Sequence, residues 1–144
     1  MRLDFDCVRD ILICIEENTG LRKHCYFVDS GLTTAAVWLD AVVDTPQYQI
    51  PLLKMYDNDT LIYHVHYCLD SGLAVGTPNK DEYKIHIADL SPAGHEFLAK
   101  IRDNSTWEKT KDIGVKIGSF SLTTVSKIAE GVATAFLNQQ LGLL

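Results

Sequence analysis

Residues 55–76, MYDNDTLIYHVHYCLDSGLAVG, constrain the fold of this chain more than any other stretch. Asp57 or Asn58 is placed to cap a helix, because a short side-chain oxygen accepts an orphan backbone N–H there. Asp59 adds negative charge in the first turn, where the helix dipole favours it. Leu61, Ile62, Val65, Cys68 and Leu69 recur at helical spacing and gather on one side. Gly72 supplies the left-handed residue that ends a helix, and Leu73 can fold back as its hydrophobic contact. The opposite side carries Asp59, Tyr63, His66, Tyr67 and Asp70.

The chain after Gly72 reads as a hairpin followed by a helix. LAVG (73–76) and YKIHIADL (83–90) are two strands, with Tyr83, Ile85 and Ile87 on one face and Lys84 and His86 on the other. TPNKDE (77–82) is turn chemistry, since Pro78 fixes its backbone and Asn79 tolerates positive φ. Ser91 caps the next helix, with Pro92 at its first position and Phe97, Leu98 and Ile101 as its apolar residues. Upstream, DFDCVRDILICIEEN (4–18) is a helix striped by Phe5, Val8, Ile11, Leu12 and Ile15, with Gly20 as its stop. Helix, Gly-marked stop, hairpin, helix is the order of a winged helix-turn-helix. The expected fold class is therefore α+β: a winged helix-turn-helix with additional C-terminal helices.

Residues 21–53 are less determined. HCYFV (24–28) is aromatic and β-branched, as a strand requires. TTAAVWLDAVVD (33–44) places Ala35, Trp38, Leu39 and Val42 on one helical face, although AAVWL and AVV are also acceptable as a pair of strands. Pro46 and Pro51 bound a loop, and IPLLKMY (50–56) reads as a short extended piece. Toward the C-terminus, WEKTKDIGVKIG (107–118) is amphipathic, with Lys109, Lys111 and Lys116 exposed. Ser121 then caps a last helix striped by Leu122, Val125, Ala129, Val132 and Phe136, with Ile128 at its edge. The expected domains are 1–106, with 21–50 atypical and readable as an insertion, and a helical extension over 107–144.

Charge narrows the choice of function. The 144 residues carry a net charge of −6, whereas a tight non-specific nucleic-acid binder is usually basic. Residues 1–79 hold 5 Lys/Arg against 11 Asp/Glu, and residues 80–144 hold 8 against 8. Cys7, Cys14, Cys25 and Cys68 form no CxxC pair, which fits reduced, buried thiols in a cytoplasmic protein. MRLDFDCVRD is charged from residue 2, so no signal peptide is expected, and no apolar run is long enough to span a bilayer.

Several motifs together resemble an uncharacterised winged-helix family of bacteria and phages, a domain of unknown function distantly similar to YjcQ-like proteins. They are the Tyr63-His64 pair, the stretch from Leu69 to Leu73, and the run Leu90 to Leu98 (LSPAGHEFL). Trp107, Lys109 and the opening LDFDCVRDILICIEEN continue the resemblance, which covers most of the chain. Residues 21–50 depart from it, being longer. The resemblance implies a winged-helix fold and brings no established activity.

The expected nucleic-acid-binding residues are Thr60, Tyr63, His66 and Tyr67 on the helix, with Lys54, Lys80 and Lys84 holding phosphates. The helix face has no Lys or Arg, the residues that most often read guanine, and Asp59 and Asp70 would repel phosphate. The same face could instead recognise a protein. His64 and His66 point in nearly opposite directions on a helix, so no metal site is expected and His64 belongs at the core boundary. Gly94-His95-Glu96 has no nucleophile beside it, so no enzyme and no cofactor are expected; a buried His95 bracing its helix is the plainer reading. The expected partners are double-stranded DNA, with a protein as the alternative, and a second copy of the chain. The last helix could serve as a dimer seam or pack within the chain. Its polar face, with Lys127 and Glu130, lacks the basic run of a membrane-surface helix.

Overall fold

Asp4 starts the first helix. Its carboxylate accepts from the amides of Asp6 (2.9 Å) and Cys7 (3.4 Å), groups that have no partner inside a first turn. Helix α1 then spans Phe5–Asn18 and buries its whole apolar stripe, with Cys7 and Cys14 beside it. The Asn18 amide and the Thr19 hydroxyl donate to the carbonyls of Cys14 and Ile15, each at 2.7 Å, so the helix stops at an extended Thr19 rather than at Gly20.

The computed structural model describes residues 1–32, 45–78 and 83–142. The helix-or-strands expectation at 33–44 and the hairpin tip with Lys80 lie outside the described residues. Among the described residues the chain is mixed α+β, with six helices and one three-stranded antiparallel sheet. It divides into two compact units, Met1–His95 and Glu96–Leu144.

In the first unit, β1 (Cys25–Val28) pairs with β3 (Lys84–Leu90), and β3 pairs with β2 (Ala74–Gly76). Cys25 faces Ile87 and Phe27 faces Ile85 in the β1–β3 register, and Cys25, Phe27 and Ile87 are all buried. The outer edge of β1 is closed by two side chains. The Tyr26 amide donates to the Tyr48 hydroxyl oxygen (2.8 Å), and that hydroxyl donates to the Tyr26 carbonyl. Gln49, wholly buried, accepts from the Val28 amide (2.8 Å) and donates to the Val28 carbonyl (2.9 Å). A primary amide presents the same donor–acceptor pair as a strand, so this open edge is satisfied without another strand. The opposite edge strand, β2, has three residues and a bulge at Val75/Gly76, which limits it as a template.

IPLLKMY corrects the sequence expectation. Ile50–Met55 is helix α2, with Pro51 in its first turn, where a ring-fixed φ suits the helix and the missing N–H costs nothing. Only Leu52 of α2 is buried, which is why no helical stripe is visible in six residues. Helix α3 (Asn58–Asp70) follows, capped by Asp57. It ends as expected at Gly72 (φ 78°), with the Leu73 amide donating back to the Cys68 carbonyl (2.9 Å) and Leu73 buried.

Helix α4 (Pro92–Ile101) is capped by Ser91, whose hydroxyl accepts from the Gly94 amide (2.9 Å) and donates to the Gly72 carbonyl. A Cβ on Gly94 would stand 1.9 Å from the Leu73 carbonyl oxygen, so only glycine fits where α4 meets the start of the hairpin. His95 corrects the sequence reading. Its side chain is 49% exposed, because the next position round the helix from Gly94 turns to solvent.

In the second unit, Asp103 caps α5 (Asn104–Ile117) by accepting from the Thr106 amide (2.8 Å), three residues ahead of the expected start at Trp107. Trp107 and Thr110 are buried, and Gly114 lies against the Phe120 ring. Gly118 (φ 78°) ends α5, and Ser121 caps α6 (Leu122–Gln140). Val125 and Ala129 of the predicted stripe are buried; Phe136 is 60% exposed. Lys100 donates to Ser126 Oγ (3.2 Å) and pairs with Glu130, a contact of small worth on a half-exposed glutamate.

Candidate recognition face

Helix α3 sorts its residues by solvent contact. Leu61, Ile62, His64, Val65 and Cys68 are buried; Asp59, Tyr63, His66 and Asp70 are exposed; Thr60 and Tyr67 lie between. The cap is tight: the Thr60 amide donates to Asp57 at 2.8 Å, and Thr60's hydroxyl and amide together hold the Asp57 carboxyl below the usual carboxylate range.

His64 anchors the inner side. It is fully buried, with Nδ1 2.7 Å from the Thr60 carbonyl and Nε2 2.8 Å from the Asp4 amide nitrogen. A carbonyl can only accept and an amide can only donate, so Nδ1 carries the proton and Nε2 accepts. The ring therefore ties the cap of α1 to the first turn of α3. That is the partnered core histidine expected from the sequence, and His66 sits apart from it in solvent.

The outer side is aromatic and acidic. The Tyr63 ring, 44% exposed, stands edge-on to His64 with centroids 5.3 Å apart. Tyr67 packs edge-on against Phe5 at 6.1 Å, and burial, with Cys68 and Tyr63 nearby, raises its hydroxyl pKa. It offers an O–H donor at its rim but less open ring than the sequence face suggests. Thr60 Oγ1 lies 3.9 Å from Met1 Sδ. Asp59 and Asp70 are the charged residues of α3, and both are exposed.

The two described lysines of the predicted set stand on other elements. Lys54 is exposed in the last turn of α2. Lys84 opens β3, where its ammonium lies 4.9 Å over the Tyr26 ring and 5.7 Å from that of Tyr83. The structure thus groups Thr60, Tyr63, His66 and Tyr67 on one helix and holds Lys84 against the sheet's aromatics.

Other chemistry is muted. All four thiols are buried; desolvation pushes Cys14, Cys25 and Cys68 up to about 12, and Cys7 also upward. Such thiols stay protonated and are poor nucleophiles near neutrality. Asp89 accepts from Thr19 Oγ1 (3.1 Å) and the Leu90 amide (2.7 Å), with His95 Nε2 at 3.8 Å, a half-exposed cluster that closes the end of α1 onto β3. Among the described residues no group of three or more His, Cys, Asp or Glu could hold a metal ion, and no described helix is long and apolar enough to cross a membrane.

Sequence reasoning missed Tyr48 and Gln49, and it read Asn58 only as a cap candidate. Asn58 accepts from the Ser30 amide (2.9 Å) and donates to Asp29 (2.9 Å), fixing the loop after β1 onto the start of α3. No periodicity announces side chains that bond to a distant backbone. No curated protein and no solved structure matches the chain. The sequence pattern of the family described as "Hypothetical protein (DUF2513)" matches residues 2–121, and the chain belongs to that uncharacterised family.

Proposed function

We propose that the Met1–His95 unit is a winged helix-turn-helix that binds double-stranded DNA as a small regulator, with α3 as its recognition helix. The observation that carries this reading is topological. A first helix, a strand, the short α2, a helix with a solvent-facing polar and aromatic side, and two antiparallel strands follow in order among the described residues, and the sheet runs β1-β3-β2. Tyr63 and His66 would approach the groove, with Thr60 and the rim of Tyr67 beside them. Lys54, Lys80 and Lys84 would hold phosphates.

The unit holds 7 Lys/Arg against 14 Asp/Glu, a net of −7, so the electrostatic share of binding is small. Three lysines neutralising about three phosphates give a log–log salt slope near −2.7, or roughly a 40-fold loss between about 50 and 200 mM salt. Fluorescence anisotropy with mixed duplex fragments tests this directly. The slope should flatten by about one unit in Lys54→Ala. Absence of binding at low salt overturns the reading.

A second reading is favoured by charge alone: the same scaffold presenting its acidic, aromatic face to a cationic protein surface. Here Tyr63→Ala and His66→Ala should abolish capture of a partner that wild type retains at low salt. Capture unchanged by both substitutions counts against this face. We also propose that two copies pair, since a two-fold protein matches two half-sites.

A further inference from the structure

Helices α5 and α6 leave a groove of about 1020 Å³ along one side of the second unit. Ile113 forms part of one wall, and Ile128, Val132 and Phe136 form the other. Its apolar walls need cover: Ile113 is 36% and Phe136 60% exposed, and Leu137 and Leu141 beyond are more than half exposed.

The charges on this groove select the occupant. Four charged residues line it, all at α5: Asp103, Lys109, Asp112 and Lys116, in the order minus, plus, minus, plus. The α6 wall contributes none. Reversing that order gives plus, minus, plus, minus. A second copy laid antiparallel therefore meets an opposite charge at every position, whereas a parallel copy would set like on like. A polyanion or an acidic segment would meet two repulsive positions of the four. At the centre of the α6 wall, a Cβ on Gly131 would touch nothing within 4 Å, so the helix backbone is open to close approach.

We propose that this groove is a self-association site, in which the α5–α6 faces of two copies pack together with α5 antiparallel to α5 and α6 antiparallel to α6. Lys109 then faces the partner's Asp112, and Lys116 faces the partner's Asp103. The contact is isologous, so each pair occurs twice and the assembly closes as a dimer. The proposal rests on the pairing of copies inferred above and supplies its site and direction.

Sedimentation equilibrium of the full chain across micromolar concentrations is the test. Wild type should show a reversible dimer. Gly131→Gln adds bulk where the monomer has open space, so at concentrations where both are monomeric its circular dichroism and melting should match or exceed the parent, while dimerisation weakens more than about tenfold. Lys109→Glu should weaken the dimer about tenfold by setting like charges together twice, and Lys109→Glu with Asp112→Lys should restore it. A monomer at every concentration overturns both the pairing and this site. A dimer indifferent to Gly131→Gln and to Lys109→Glu overturns the site alone. A charge swap that fails to restore a dimer weakened by Lys109→Glu overturns the antiparallel arrangement.

Discussion

The two units close their surfaces in different ways. The first is acidic, 7 Lys/Arg to 14 Asp/Glu, and among its described residues the two wholly buried polar side chains, His64 and Gln49, each hold two backbone groups. Its exposed large apolar residues, such as Leu21, Met55 and Val75, are scattered along the chain. The second is nearly neutral, 6 Lys/Arg to 5 Asp/Glu, and its exposed large apolar residues fall in two short stretches, Ile113, Val115, Ile117 and Phe120, then Phe136, Leu137 and Leu141. A sheet has edges whose backbone groups must be matched one by one, so the first unit needs particular side chains at particular places. A helical hairpin satisfies its own backbone and asks only that its apolar face be covered by something.

That contrast can be broken most directly at Gly94. A methyl group there meets the Leu73 carbonyl oxygen at 1.9 Å, so Gly94→Ala should cost about 3 kcal/mol or more, or prevent folding. Urea unfolding that shows a loss below about 1 kcal/mol would mean that α4 and the hairpin part easily. Next comes Gln49→Leu, which keeps the volume but strands the Val28 N–H and C=O. The expected loss is about 2–4 kcal/mol, and the Val28 amide should exchange with solvent much faster. An unchanged exchange rate would show that water replaces the glutamine.

Alkaline pH probes the thiols. Cys14, Cys25 and Cys68 have folded pKa values raised from 9.0 to about 12. In the unfolded chain they ionise near 9.0 while the folded chain keeps their protons, so the unfolded state binds fewer protons and stability falls as pH rises. The loss begins above pH 9.0 and continues toward 12, at about 1.4 kcal/mol per pH unit for each thiol. A flat stability between pH 9 and 11 would contradict the burial of these groups. The smallest effect belongs to the second unit. Gly131→Ala, in open space within a helix of the single chain, should stabilise the monomer by about 0.5–1 kcal/mol at concentrations too low for pairing, and destabilisation there would show that the site is covered within the chain.

Much of the helical layout was legible because its signals are local. Asp57, Ser91 and Ser121 act as caps where their spacing from an apolar run says they should, and Gly72 ends α3 with positive φ. The stripe of α1 is buried residue for residue. Local signals also failed where they were too short: α2, with one buried residue in six, has no readable period, and Pro51 served equally as a loop signal. For the candidate face, spacing correctly put Tyr63 and His66 outside. It could not show that Tyr67 leans on Phe5 or that Lys84 lies over Tyr26, since both depend on another element arriving.

By itself the sequence determined where most of the described helices begin and end, which side of α1 and α3 is apolar, and that the charge deficit falls in the first half of the chain. Those are consequences of groups within about four residues of one another. Only the tertiary structure decided that His64 meets Asp4, 60 residues away, that Tyr48 and Gln49 close the edge of β1 from 22 and 21 residues away, and that Gly94 must be glycine. Each of these depends on two distant segments reaching hydrogen-bond or van der Waals distance, a geometry set by the packing of the whole unit. No pattern along the chain encodes it, because the partner's position exists only once the core has formed.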